Sequence, residues 1–253
     1  MADEASGGER SLQDSFRGAL LGTFAGDALG APFEGLSPGR MLREHGEVRE
    51  MRSGRSGRGR YTDDTQMMIV VAEWLLEDGR EDPGRLAQRL VEAYDPARGY
   101  GRGTTNVIRK LRAGEPWESA AEGVFPRGSF GNGAAIRVAP CALLLHHAPD
   151  ALERLVEVSA IVTHAHPLGI AGAKLQARQV ALAFESRGEE FDPVTFVVTL
   201  RSAIASAEYR QKLRTVEECL EKRASAETVR KRLGSNATAL GSVPTALYCF
   251  LAH

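Results

Sequence analysis

Tyr61-Thr62-Asp63-Asp64-Thr65 runs directly into Gln66-Met67-Met68-Ile69-Val70-Val71-Ala72-Glu73-Trp74-Leu75-Leu76. Two adjacent carboxylates between two threonine hydroxyls therefore stand where a nearly all-apolar helix begins. Hard oxygen donors of this kind suit Mg²⁺, Mn²⁺ or Ca²⁺ rather than zinc. The same residues suit a helix cap, since Asp and Thr satisfy free N–H groups and carboxylates favour the positive end of the helix dipole. One residue suffices for a cap, which leaves the second aspartate surplus. On this stretch alone capping and metal binding are evenly matched.

Other residues with chemistry to offer lie on both sides. Glu34 follows Gly30-Ala31-Pro32-Phe33. Desolvation by Phe33 and Pro32 could raise its pKa and suit it to acid or base work, although an exposed loop glutamate is the commoner outcome. Gly128-Ser129-Phe130-Gly131-Asn132-Gly133 precedes a helix. Glycines there let backbone amides converge on an anion at a helix start. No Lys-Ser or Lys-Thr follows and no strand precedes, so neither nucleotide-binding fingerprint matches; a plain tight turn explains the spacing equally well. Gly99-Tyr100-Gly101-Arg102-Gly103-Thr104 is a second, weaker loop of this sort. His164 and His166, in Thr163-His164-Ala165-His166-Pro167, could bind zinc at i, i+2 but have no third ligand nearby. Hydrogen-bonded loop histidines are the better expectation. Asp27 sits on an otherwise small and apolar helix, where a carboxylate bonded to backbone amides is at least as good a reading as a catalytic one.

The elements that must position these groups are helical, because 3.6-residue periodicity dominates and strand alternation is scarce. A first helix is expected from Ser15 to Leu29, with Gly18, Gly22 and Gly26 allowing close approach of neighbours. Ala31 to Arg60 reads as a loop whose Arg-, Gly- and Ser-rich second half is a mobile linker, or else a flap whose arginines meet phosphates. Helices follow from Thr65 to Glu77, from Pro83, from Thr105 to Ala113, and from Ala134 to His147, where Pro140 should kink or divide the helix. Further helices are expected over Asp150 to Thr163, Leu168 to Arg187, Val194 to Ala207, Glu208 to Lys222 and Glu227 to Leu233, with Gly234 as a stop and Pro244 opening Thr245 to His253. The pattern predicts a compact all-α helical bundle, a single domain over residues 15–253 behind a disordered polar tail, residues 1–14. The last stretch, with Leu247, Phe250 and Leu251, reaches His253 with no cap or polar tail, and a missing segment is the expectation.

Composition excludes several classes of function. A net charge of -1 gives no global attraction to nucleic acid or anionic membrane. No uninterrupted apolar run is long enough to span a bilayer. The 3 cysteines are far apart, and Cys141 and Cys249 lie in apolar runs that read as reduced core, which fits a cytoplasmic location. Nothing fixes the oligomeric state, and a monomer is the default.

Taken together and in order, Gly26-Asp27-Ala28-Leu29-Gly30 with Glu34, then Tyr61 to Thr65, Gly99 to Gly103, Gly128 to Gly133 and Thr163-His164 resemble the ADP-ribosylglycohydrolase family. The branch most closely resembled acts on serine-linked ADP-ribose, poly(ADP-ribose) and O-acetyl-ADP-ribose. Its pattern is echoed in Gly128 to Gly133 and in Ser242-Val243-Pro244-Thr245-Ala246-Leu247-Tyr248-Cys249-Phe250-Leu251. The resemblance implies an all-α fold and two Mg²⁺ or Mn²⁺ ions, with Thr62, Asp63 and Asp64 as ligands. It implies that Glu34 orients or deprotonates water or assists the leaving group. Gly128, Ser129, Phe130, Gly131 and Asn132 would hold the diphosphate and adjoining ribose, Gly101, Gly103 and His164 would line the same cleft, and Phe125 would meet the adenine. The family's second metal half-site, Gly-Gly-Asp-x-Asp-Thr, has no counterpart, since Gly-Gly-Asp occurs nowhere in the sequence. The expectations are therefore a metal-dependent hydrolase with one half-site only or, alternatively, a catalytically impaired ADP-ribose-binding protein.

Overall fold

A computed structural model describes residues 12–54, 57–77, 81–123, 125, 127–186 and 190–252. Among these, thirteen α-helices carry the fold, and the strands amount to one two-residue hairpin. The all-α expectation holds. Helix α1 (Leu12–Gly30) begins three residues earlier than its periodicity predicts, so Leu12 to Asp14 are helical rather than tail; residues 1–11 of that predicted tail lie outside the described residues. Gly18, Gly22 and Gly26 were expected to sit under close neighbours. Instead a Cβ built on any of them meets nothing within 4 Å. Most of this helix is open, with Ala28 its one fully buried residue.

The segment from Ala31 to Arg60 is more ordered than a linker. Helix α2 (Pro38–His45) starts from Ser37, whose hydroxyl accepts from the Arg40 amide, and ends at Gly46. Strands β1 (Ser53–Gly54) and β2 (Gly57–Arg58) form an antiparallel hairpin. A local motif accounts for the helix: a Ser-Pro start with a glycine stop.

Helices α3 (Asp63–Leu75) and α4 (Pro83–Glu92) pack together, and Trp74, Met67, Leu86 and Leu90 are almost wholly removed from water. Helices α5 (Arg102–Arg112) and α6 (Trp117–Glu122) follow; the second is too short for periodicity to reveal. Pro140 divides the predicted Ala134-to-His147 helix by standing in the first turn of α7 (Ala139–Leu144), where its missing N–H costs nothing.

Helix α9 (Pro167–Glu185) is central, packed on α7, on α8 (Pro149–Ile161) and on α13 (Ala239–Leu251). Its Gly172 lies so near Ala239 and the Tyr209 hydroxyl that an added Cβ would collide with both. Helices α10 (Pro193–Ala203), α11 (Ala207–Glu221) and α12 (Ala226–Leu233) complete the order, and α12 stops at Gly234 with φ +109° as expected. Helix α13 starts at Ala239, not after Pro244. Thr238 caps it, and Pro244 sits inside it, while the Thr245 hydroxyl donates to the carbonyls of Gly234 and Gly241. The cap residue was the signal passed over. Cys249, read as core, is exposed; Cys141 and Cys219 are buried, and all three are free thiols.

Candidate active site

Asp27, near the end of α1, is the clamp of the site. Its carboxylate accepts from the Thr62 amide (2.9 Å), the Thr62 hydroxyl (2.7 Å), the Thr65 amide (3.1 Å) and the Thr65 hydroxyl (2.6 Å). Both threonines of the Thr-Asp-Asp-Thr turn are thereby tied to α1, which bears out the reading of Asp27 as a carboxylate bonded to backbone amides. Thr62 also caps α3 by accepting from the Asp64 amide at 3.3 Å. With capping done by Thr62 and anchoring by Asp27, both Asp63 and Asp64 are released for other work.

These two aspartates sit in the first turn of α3, partly buried. Burial pushes Asp63 up to about 6, helped by the charges of Glu34 and Asp27, while a hydrogen bond from the Gly101 backbone opposes the shift. Burial followed by repulsion from Asp63, Asp27 and Glu34 pushes Asp64 up to about 8. The charged neighbours that move them are all acids, so the pair lacks a countercharge. Hard oxygen donors, crowded and short of positive charge, are the kind of set a divalent cation relieves. Thr62, Asp63 and Asp64 fit such an ion. Among the described residues no group of three or more acidic, histidine or cysteine side chains is gathered to hold one, so the remaining donors would be hydroxyl, backbone or water oxygens.

Glu34 follows the 3₁₀ turn Ala31–Phe33 and lines a cavity of about 430 Å³ together with Asp27, Asp64 and Asn132. Asp64, Glu34 and Asn132, distant in sequence, thus face one space, while Thr62 lines the neighbouring cavity. The expected desolvation of Glu34 by its neighbours is not what the fold supplies: Glu34 is exposed, and the Phe33 ring packs on His45 at 5.1 Å. A second cavity, of about 320 Å³, shares Ala31 and Glu34 and is bounded by Arg60 and Arg98. The guanidinium of Arg98 lies 3.8 Å from the centroid of the Tyr61 ring and donates to the Tyr61 carbonyl.

The glycine loop is stitched to the start of α13. The Asn132 amide donates to the Ala237 carbonyl and the Ala239 amide to the Phe130 carbonyl, both at 2.9 Å. The Gly131 amide donates to the Ser129 hydroxyl, and the Gly128 amide to the Phe125 carbonyl. Three of the amides expected to gather on an anion, those of Gly128, Gly131 and Asn132, are therefore already engaged. A Cβ on Gly103 would fall 3.1 Å from the Phe125 ring and 3.7 Å from the Ser129 hydroxyl, which places all three together. Phe130 is 46% exposed, its ring 5.2 Å from His166.

The two histidines do separate jobs, as hydrogen-bonded loop residues. His166 caps α9 through Nδ1. His164, 4% exposed, has its Nδ1 2.8 Å from the Thr163 hydroxyl and its ring against Gly131 and Gly133. Burial, with a smaller contribution from the Arg137 charge, pushes its pKa down to about 3. A depressed histidine pKa means that the unfolded chain binds the extra proton first, so this contribution to stability is full above about 6.5 and is lost as pH falls toward 3. At pH 5 the loss is about 2 kcal/mol. Thermal melts at pH 7 and pH 5 should therefore show a larger drop for the wild type than for His164→Gln; equal drops would contradict this.

Sequence reasoning passed over Arg137, which donates to the Thr163 hydroxyl beside His164. Arg137, lone among Ala134-Ala135-Ile136 and Val138-Ala139, was the available signal, a charge in an apolar run.

An all-α chain whose polar loops converge on an acid-lined cleft has the plan of a helical hydrolase. A family model described as ADP-ribosylglycohydrolase matches residues 9–253, and the chain belongs to that family. It is similar to the ADP-ribosylhydrolase ARH3 of Danio rerio, 35% identical over 262 residues that cover 93% of this chain and 70% of that protein. It is also similar to the ADP-ribosylhydrolase ARH3 of Homo sapiens, 34% identical over 97% of this chain and 75% of that one. Among solved structures, an "ADP-ribosylglycohydrolase-related protein complex" superposes with a TM-score of 0.70 at 28% identity, over 94% of this chain and 76% of the other. Family and relatives together make this an ADP-ribosyl glycohydrolase by kind.

Proposed function

We propose that the chain hydrolyses the glycosidic bond at ribose C1″ of ADP-ribose conjugates, the preferred class being serine-linked ADP-ribose, poly(ADP-ribose) or O-acetyl-ADP-ribose, with Mg²⁺ or Mn²⁺ bound at Thr62, Asp63 and Asp64. The observation that carries this reading is the shared cavity of Glu34, Asp64 and Asn132. Cleavage at C1″ passes through an oxocarbenium-like state. A divalent cation, when bound, supplies positive charge that grips ribose hydroxyls and positions water. Glu34, exposed at the mouth of the cavity, moves the proton between water or leaving group and solvent. Asn132 orients the ribose, and the amides of Ser129 and Phe130 take the diphosphate. Gly101 and Gly103 leave room for the ligand backbone, and Phe125 beside Gly103 offers a face to adenine.

The direct test is release of free ADP-ribose from a serine-ADP-ribosylated peptide, with Mg²⁺ and with chelator. Turnover that needs the metal supports the proposal, and no turnover from folded protein removes it. The incomplete set of metal-holding side chains favours one second reading, an ADP-ribose-binding protein of impaired activity. Calorimetry with ADP-ribose that shows binding without hydrolysis would select it.

Metal binding has a readout independent of catalysis. Saturating Mg²⁺ or Mn²⁺, at about 100 times its Kd, should stabilise the wild type by about 2.7 kcal/mol. The rise in thermal midpoint should vanish in the double variant Asp63→Asn, Asp64→Asn. A rise of equal size in that variant would place the ion elsewhere.

A further inference from the structure

The Arg-, Gly- and Ser-rich stretch that ends at Arg60 ties its other described arginines down locally. Arg49 donates to the Glu47 carboxylate at 3.0 Å, Arg52 to the His45 carbonyl at 3.4 Å and Arg58 to the Met51 carbonyl at 2.9 Å. Arg60 is exposed and has no hydrogen-bond or ion-pair partner among the described residues. Its side chain lies along the hairpin turn, since a Cβ built on Gly57 would stand 3.7 Å from its Cγ. It borders the cavity of about 320 Å³ together with Arg98 and Glu34. Arg98 is held firmly there. Its Nη1 donates to the Tyr61 carbonyl at 2.9 Å, its guanidinium stacks 3.8 Å from the Tyr61 ring centroid, and its Nε is 3.6 Å from the Asp95 carboxylate. Its Nη2 makes no hydrogen bond among the described residues.

The two cavities meet at Ala31 and Glu34 but differ in charge. The carboxylates of Asp27, Glu34 and Asp64 border the larger one, and no lysine, arginine or histidine does. The smaller one has a single carboxylate, Glu34, and two guanidiniums. Much of its remaining wall is glycine, and a Cβ built on Gly35 or Gly99 meets nothing within 4 Å, so space is open there. Its volume is of the size that small-molecule sites have. A bond cleaved beside Glu34 has two sides. The ribose side takes the acids and the cation that they call for. The departing side then faces the arginines, whose planar forks match phosphate oxygens. We propose that the smaller cavity is the leaving-group subsite, and that Arg60 and Arg98 select the polymer among ADP-ribose conjugates by binding the diphosphate of the next ADP-ribose unit. Water adds across the bond, its hydroxyl going to C1″ and its remaining proton to the departing ribose oxygen of that unit. A serine side chain or an acetyl group brings no phosphate to either arginine. The choice of polymer rests on the hydrolysis proposed above, whereas the anion preference of the subsite does not.

The experiment compares kcat/KM on a short poly(ADP-ribose) oligomer with kcat/KM on a serine-ADP-ribosylated peptide of uncharged flanks, using the full chain with Mg²⁺. Both substrates are read on the same protein, so any loss of folded fraction cancels from the ratio. Arg60→Gln should lower the ratio of oligomer over peptide by about 10-fold, the worth of one charge-assisted hydrogen bond. The fall should shrink at high salt, which screens an exposed charge. Arg60→Lys keeps the charge and should recover part of the ratio. Arg98→Lys keeps the charge but loses the fork and the stack, and should lower the ratio too. An unaltered ratio in Arg60→Gln overturns the proposal, and one in Arg98→Lys removes Arg98 from it. A serine peptide with acidic flanks that loses as much as the oligomer overturns the assignment to phosphate. If the wild type turns over neither substrate, the functional reading falls and binding decides the subsite. A dimer of ADP-ribose should then bind more tightly than ADP-ribose itself, and Arg60→Gln should abolish the margin. Equal affinities for dimer and monomer would overturn the subsite as well.

Discussion

Glu34→Gln is expected to slow release of ADP-ribose from a serine-ADP-ribosylated peptide by about 10²- to 10⁴-fold, the usual worth of a positioned acid or base. The substitution keeps size and polarity and removes only the capacity to exchange a proton. Glu34 lies on an exposed loop after the 3₁₀ turn Ala31–Phe33, so no core cavity opens and the thermal midpoint should scarcely move. Binding of ADP-ribose should survive, because the glycine loop and His164 lie on other elements. Rate and affinity therefore separate: a large fall in kcat with little change in Kd marks Glu34 as the proton-moving group. An unaltered rate would remove it from the chemistry. A matching loss of affinity would make it a binding residue instead.

The second large effect is structural. Asp27→Ala should destabilise the fold by about 3 kcal/mol, because a carboxylate's hydrogen bonds contribute about 1.5–3 kcal/mol each and do not add fully. Four donors from Thr62 and Thr65 lose their acceptor at once. Asp27→Asn should cost much less, since the amide oxygen keeps part of the set and the Thr62 hydroxyl can turn to accept from the new NH₂ group. Urea unfolding separates the two. Near-equal midpoints for Asp27→Ala and wild type would show that the threonine turn stands without its clamp. The asparagine variant also lifts one of the repulsions on Asp63 and Asp64, so it should loosen metal binding if Asp27's charge helps attract the cation.

The sequence by itself determined the helical class, because apolar residues recur at a helical period over most of the chain and that signal is local. It also offered candidates for the chemistry. Asp63 and Asp64 stood out by type and by their neighbours, the surplus second aspartate arguing for something beyond a cap, while Glu34, Asn132 and His164 gained their roles from the family resemblance. Short elements escaped, such as Trp117–Glu122 and the hairpin at 53–58, because they span too few residues to show a period. Tertiary structure alone decided how labour is divided among the acids. Asp27 reaches across 35 residues to Thr62, and only that contact shows it to be the clamp and the pair at 63 and 64 to be free. It also decided that the amides of Gly128, Gly131 and Asn132 are already occupied, and that Arg137 reaches across 26 residues to donate to the hydroxyl of Thr163. Periodicity and capping act within a turn or two of helix. The partner of a buried polar group is fixed by which helix faces come together, and that choice is made by packing of the whole chain.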